Sequence, residues 1–138
     1  MEFHLAPLKN ISCWAFRAGI PGATDVYTEM IHLKTLHSNP KRFWNSIDTY
    51  PLLSTDTRQW VQLLSNNPKN IHRLLTEMPK FVQENPLKSK ITGFNLNLGC
   101  PDPQIIAEGL GSCQLKQVDN VQNLIDEIEG IFGENCLD

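Results

Sequence analysis

No run of about 18 consecutive apolar residues occurs in this chain of 138 residues, and no basic stretch near the amino terminus leads into an apolar one. Neither a membrane-spanning helix nor secretion is therefore expected. Cysteine is scarce: the 4 residues, at positions 13, 100, 113 and 136, form no C-x-x-C pair. His4, His32, His37 and His72 lie at no ligand-like interval from them, so a structural zinc site is not expected, and neither is a disulfide framework. Reduced thiols point to a cytoplasmic protein. Basic residues do not dominate, since 12 Lys and Arg against 15 Asp and Glu leave a net charge of −3. That balance disfavours a protein whose sole task is coating nucleic acid, but it is compatible with an enzyme that acts on RNA. Also missing is a G-x-G-x-x-G after the first apolar segment, which argues against a dinucleotide-binding sheet.

The residues that are present alternate between two periods. Phe3 and Leu5 suit a short strand ending at Pro7, and Trp14 to Ala18 suit a helix stopped by Gly19 and Pro21. A second strand is expected over Asp25 to Met30. Asn39-Pro40 then offers a cap and a first helical position, with Phe43, Trp44 and Ile47 on one face. Gln59 to Leu64 reads as a third strand, and Ile71, Leu74, Leu75 and Met78 fall at helical spacing until Pro79, which should end or kink that helix. After a fourth strand, Pro103 to Glu108 can form a helical turn. Val121, Leu124, Ile125 and Ile128 then define an amphipathic helix that Asp119 is expected to begin.

This βαβαβαβα order specifies the α/β class with a parallel sheet and right-handed crossovers, and a TIM-barrel-like arrangement is preferred. A closed (β/α)₈ barrel needs roughly 250 residues. The chain holds about four of the eight units, a half barrel within a single domain spanning residues 1–138. A half barrel leaves two strand edges and one sheet face uncovered, so a fragment is expected, or a chain completed by a partner or a second copy.

The fourth strand carries the chemistry. Ile91 to Leu98 places apolar residues at 94, 96 and 98 with Asn95 and Asn97 between them, then stops on Gly99-Cys100-Pro101. The residue before a proline is held extended, so Cys100 sits at a sharp strand exit, where α/β enzymes gather working groups. A free cysteine is otherwise a small buried hydrophobe, and an asparagine near a strand end otherwise a backbone cap. Lys34, Lys41 and Arg42 after the second strand, and Lys80, Lys88 and Lys90 before the fourth, can meet phosphate or form a solvated face.

Four segments, in order, resemble one family. Asn97-Leu98-Gly99-Cys100-Pro101 followed by Gly109-Leu110-Gly111-Ser112 is similar to the N-x-G-C-P and G-x-G-x signature of the tRNA-dihydrouridine synthases. Ala6-Pro7-Leu8-Lys9-Asn10-Ile11-Ser12 with Phe16-Arg17 resembles their opening A-P-M-x-G-V-T-D-x-x-F-R. Ala23-Thr24-Asp25 with Thr28-Glu29-Met30 resembles their second strand, and Val61-Gln62-Leu63-Leu64 their third. Asn10 stands for the usual glycine, Cys13 for the usual aspartate, and Gln114 interrupts the usual leucine pair, which marks a divergent member.

The resemblance implies an FMN-dependent barrel that reduces the C5–C6 double bond of uridine in tRNA with NADPH as reductant, Cys100 donating a proton. An unperturbed thiol, with a pKa of about 8.5, is mostly protonated at neutral pH and able to donate. By the same resemblance Ala6, Pro7, Leu8 and Gln62 contact the flavin, Asn97 faces the uracil edge, and Glu29 helps position the substrate. The family's later flavin-phosphate turns and its tRNA-binding helical domain have no counterpart among these residues, so the chain alone is expected to be inactive. Two other readings stand beside this one. One is another FMN barrel, of the dihydroorotate dehydrogenase or ene-reductase type, acting on a small molecule; the other is a non-catalytic remnant that serves as a binding module.

Overall fold

Every strand pairing in the computed structural model, which describes residues 1–47, 56–84 and 91–133, is parallel. The strands are β1 (His4–Leu5), β2 (Asp25–Tyr27), β3 (Ile31–His32), β4 (Arg58–Leu64) and β5 (Gly93–Leu96). The helices are α1 (Trp14–Gly19), α2 (Lys34–Ser38), α3 (Pro40–Ser46), α4 (Pro68–Glu84), α5 (Pro103–Ala107) and α6 (Val118–Phe132), with a 3₁₀ helix over Gly111–Lys116. No helix among the described residues is long and apolar enough to cross a membrane.

β1 pairs with β2, β2 with β4, and β4 with β5, while β3 continues along the same side of β4 as β2. Tyr27 lies opposite Trp60 and Ile31 opposite Leu63, so residues 28–30 face only residues 61 and 62. One extra residue on one strand is a β-bulge. The expected strand over Asp25 to Met30 is thus corrected to two short strands that share one position, divided by Thr28-Glu29-Met30. Thr28 explains the break: its N–H donates to the Trp60 carbonyl at 3.0 Å, and its Oγ1 accepts the Gln62 N–H at 3.0 Å in place of a main-chain carbonyl.

Counted by position, the strands follow one another in chain order with no reversal. That is the wall of a barrel, of which about half is present, and differs from a doubly wound sheet, whose order reverses at a switch point. Helices cover one face, where Val61, Leu63 and Phe94 meet Leu36 of α2, Phe43 of α3, Leu74 of α4 and Leu124 of α6 in one apolar core. Each such side chain contributes roughly 1.5–3 kcal/mol through burial. The other face carries His4, Asp25, Tyr27, Trp60, Gln62 and Asn95, as the registers require.

Several local expectations hold. Asn39 caps α3 by accepting the Arg42 N–H at 3.0 Å, Pro40 opens the helix, and Phe43 and Ile47 are buried. Others need correction. Of the two effects expected of Pro79, the ending does not occur, since α4 runs on to Glu84. Pro79 is exposed while Leu75 and Met78 are buried, so the position missing an N–H lies away from the core and packing carries the helix past it. Asp119 does not begin α6; it lies in the first turn, and Gln117 occupies the cap without a side-chain bond. Nor is the polar sheet face bare, because Asp25, Tyr27, Trp60 and Gln62 are all buried, with Tyr27 and Trp60 stacked at 6.4 Å. Lys88 and Lys90 lie outside the described residues, and Lys34 is engaged by Glu108 at 2.5 Å.

Candidate active site

Three amides line up across the carboxyl halves of β4 and β5. The register sets Gln62 beside Asn95, and alternation brings Asn97 to the same face. Gln62 Nε2 donates to Asn95 Oδ1 at 2.9 Å, and Asn97 Nδ2 donates to Gln62 Oε1 at 3.2 Å. Gln62 is therefore fixed in orientation from both sides and retains one N–H and one carbonyl lone pair for a further partner. Asn95, which sequence reasoning did not single out, is the residue that sets this orientation. Its place between two apolar residues of a strand was the available signal.

Asn97 links the amides to the cysteine. Its Oδ1 accepts the N–H of Cys100 at 2.9 Å and that of Gly99 at 3.3 Å, so the same side chain both closes the turn and holds Gln62. Of the two roles weighed for it in the sequence, the backbone cap is the one observed, and the bond to Gln62 is an addition to it. On the far side, Ser112 donates its N–H to the Cys100 carbonyl at 3.0 Å. Gly111 makes this approach possible, because at φ +64° a Cβ there would lie 2.5 Å from that carbonyl oxygen and 3.1 Å from Cys100 Cβ. Asn66 braces the same turn, its Nδ2 donating to the carbonyls of Glu108 at 3.1 Å and Gly109 at 3.3 Å. The G-x-G segment is thus the seat of the Cys100 loop.

The segment from Ala6 reaches this rim from the opposite edge of the sheet. Ala6 and Leu8 are exposed and Pro7 half-buried, while the Ile11 and Ser12 N–H groups donate to the Leu8 carbonyl at 3.1 and 3.0 Å. Ser12 Oγ in turn accepts the Leu8 N–H at 2.7 Å. Asn10 occupies the left-handed region at φ 63°, a conformation glycine adopts freely and asparagine tolerates best among the rest, so this departure from the family pattern costs little. Lys9 Nζ meets Asp102 Oδ2 at 3.2 Å, joining this segment to the residue that follows Cys100-Pro101. The Gln104 N–H and then Lys9 hold the Asp102 carboxyl below its ordinary range. Cys13 caps α1 with no side-chain bond, so the cap an aspartate would supply is lost.

Glu29 is carried elsewhere. The bulge turns it into an open cleft of about 470 Å³ bounded by α1, β3, α2 and α3, whose walls include Cys13, Trp14, Arg17, His32 and Arg42 but not Gln62, Asn97 or Cys100. Of the sequence-derived site residues, Gln62, Asn97 and Cys100 form one bonded group, Ala6 to Leu8 approach it through Lys9, and Glu29 stands in the neighbouring cleft. Beside the cleft, Lys34 and then His32 hold the Glu108 carboxyl low.

At the amino ends of the strands lies a second polar group. Burial pushes the Asp25 carboxyl upward, but hydrogen bonds from Arg58 at 2.7 Å and the Trp60 indole at 2.7 Å outweigh it, leaving its pKa below the ordinary value. In barrel enzymes this end serves stability, and the opposite rim serves chemistry.

With that geometry in place, comparison with known proteins gives concordant results. A family model described as dihydrouridine synthase matches residues 4–133. A curated tRNA-dihydrouridine(16/17) synthase of Saccharomyces cerevisiae is 30% identical over 130 residues, which cover 90% of this chain. The chain spans 28% of the length of that relative.

Proposed function

Because the chain belongs to the dihydrouridine synthase family, we propose that it supplies the thiol side of an active site that reduces the C5–C6 double bond of uridine in tRNA. The observation that carries the reading is Cys100 on the strand exit, its main chain held by Asn97 on one side and Ser112 on the other. A flavin fits these residues. Gln62 has an oriented N–H and a carbonyl lone pair to spare, which suits the alternating donor and acceptor edge of such a ring, and Ala6 to Leu8 present an exposed main chain at the same rim. When bound, FMN reduced by NADPH supplies a hydride to one carbon of the double bond.

The protein's own part is to place uracil and deliver a proton. Cys100 Sγ gives its proton to the other carbon as the C–H bond forms, and the thiolate left behind regains a proton from water. Asn97 is already committed to Gln62 and to the Cys100 turn, so it positions the thiol as well as facing the base. The outer edges of β1 and β5, unpaired among the described residues, are where the remaining barrel strands pair, whether these come from residues outside this chain or from a second copy. Free thiols at Cys13, Cys100 and Cys113 accord with a cytoplasmic setting.

Purified with the remaining strands that complete its barrel, the protein should be yellow and form dihydrouridine in unmodified tRNA when given NADPH, in preference to reducing free pyrimidines or enones. Cys100→Ala should lose that activity and keep its flavin. A colourless protein, or an alanine variant as active as the parent, overturns the proposal.

A further inference from the structure

Beside the Cys100 rim, the cleft holding Glu29 combines groups that a flavin or a target base does not use. Trp14 offers a partly exposed indole, Arg42 a guanidinium at the start of α3, and Glu29 a carboxylate. Two of its borders are shared with the active site. Ser12 lines the cleft and accepts the Leu8 N–H, while Glu29 and Met30 follow Thr28, whose Oγ1 accepts the Gln62 N–H. The cleft therefore adjoins the rim through Ser12 and Thr28, on the side where a strand entering the rim would continue. Unpaired RNA is recognised in this way, with bases stacked on aromatic rings and phosphates met by arginine.

Resting on the reading of tRNA as substrate, we propose that the cleft is a subsite for the unstacked nucleotide next to the target uridine. Trp14 stacks on its base, Arg42 meets its phosphate, and Glu29 accepts from a base edge that presents N–H donors. A carboxylate in an otherwise cationic cleft would repel a bare phosphate, and this is why the occupant is a nucleotide with its base directed to Glu29 rather than a simple anion. Glu29 thus selects the neighbour of the uridine.

The test measures steady-state reduction of unmodified tRNA at several salt concentrations by the purified protein with its barrel completed. Trp14→Ala should raise KM for tRNA about tenfold, in keeping with base–aromatic stacking, while Trp14→Phe stays near the parent. Arg42→Gln should raise KM and lower the salt-dependence slope by about 0.7, the share of one phosphate on a single strand, whereas Arg42→Lys keeps the slope. Both should leave kcat, flavin content and KM for NADPH unchanged. Glu29→Gln should alter preference among tRNAs that differ at the base beside the target. If the parent reduces tRNA and the Trp14 and Arg42 variants match it in KM, the subsite is refuted and the function stands. If KM for NADPH rises instead, the cleft binds the reductant and the proposal falls. A parent that cannot reduce tRNA at all removes both readings.

Discussion

Gly111 gives the sharpest test of how the Cys100 loop is built. Replacing it with alanine places a Cβ 2.5 Å from the Cys100 carbonyl oxygen and 3.0 Å from Ile105 Cγ2, on a backbone whose φ of +64° an alanine resists. The left-handed conformation alone costs roughly 1–2 kcal/mol. The contact with a main-chain oxygen cannot be relieved by turning a side chain, so the Cys100 loop must move, and the Ser112 N–H to Cys100 bond at 3.0 Å is strained or lost. Such a bond contributes about 0.5–1.5 kcal/mol net, which brings the expected total to about 1.5–3.5 kcal/mol.

Urea unfolding followed by tryptophan fluorescence measures this loss, and mapping of alkylated cysteines by mass spectrometry reports whether Cys100 has shifted. Gly130→Ala is the matched control, since Gly130 lies inside α6 with no atom within 4 Å of the added Cβ. There alanine should stabilise by about 0.5–1 kcal/mol through helix propensity. An unfolding midpoint for Gly111→Ala equal to that of the parent, with Cys100 alkylated at the parent rate, would refute the role assigned to this glycine.

Cys13→Asp restores a side-chain acceptor at the start of α1 and should stabilise the protein by about 1 kcal/mol, read as a higher thermal midpoint. Stability should fall as the pH drops from about 4, because a carboxyl whose folded pKa lies below its ordinary 3.8 contributes fully above that value and loses its contribution as the pH falls through the folded pKa. Asp25→Asn should flatten this acid limb, and a limb that keeps its steepness counts against Asp25 as its source. Asn97→Asp keeps the acceptor for Gly99 and Cys100 but loses the donor to Gln62, whereas Asn97→Ala loses both. Uridine reduction should therefore drop further in the alanine variant, and equal losses in the two would show that the turn bonds do not matter.

Much of this architecture is legible in the residues because local and tertiary demands agree. Asn39-Pro40 begins a helix for reasons internal to that dipeptide, and the alternation of Phe94 and Leu96 with Asn95 and Asn97 separates a core face from a site face without reference to anything distant. Where the two demands conflict, the core decides. Pro79 argues locally for a stop, yet Leu75 and Met78 before it are buried in the core against the sheet and α4 continues. Asp119 is a good cap by type, but the chain leaving the 3₁₀ helix starts α6 before reaching it.

The bulge at residues 28–30 shows the same contest at the site itself. Uninterrupted alternation from Asp25 and Tyr27 would put Glu29 on the polar face near Gln62, and Ile31 with it. Burying an isoleucine among the helices is worth roughly 1.5–3 kcal/mol, and the extra residue returns Ile31 to the core face opposite Leu63. Thr28 makes the shift affordable by lending a hydroxyl to the interrupted ladder. The trace of this in the sequence is a change of parity, from Val26 at an even position to Ile31 and Leu33 at odd ones, all buried. A parity change across Thr28-Glu29-Met30 requires one residue to leave the alternation. The same shift that satisfies the core releases Glu29 into the neighbouring cleft, so the placement of this carboxylate follows from where an isoleucine must go.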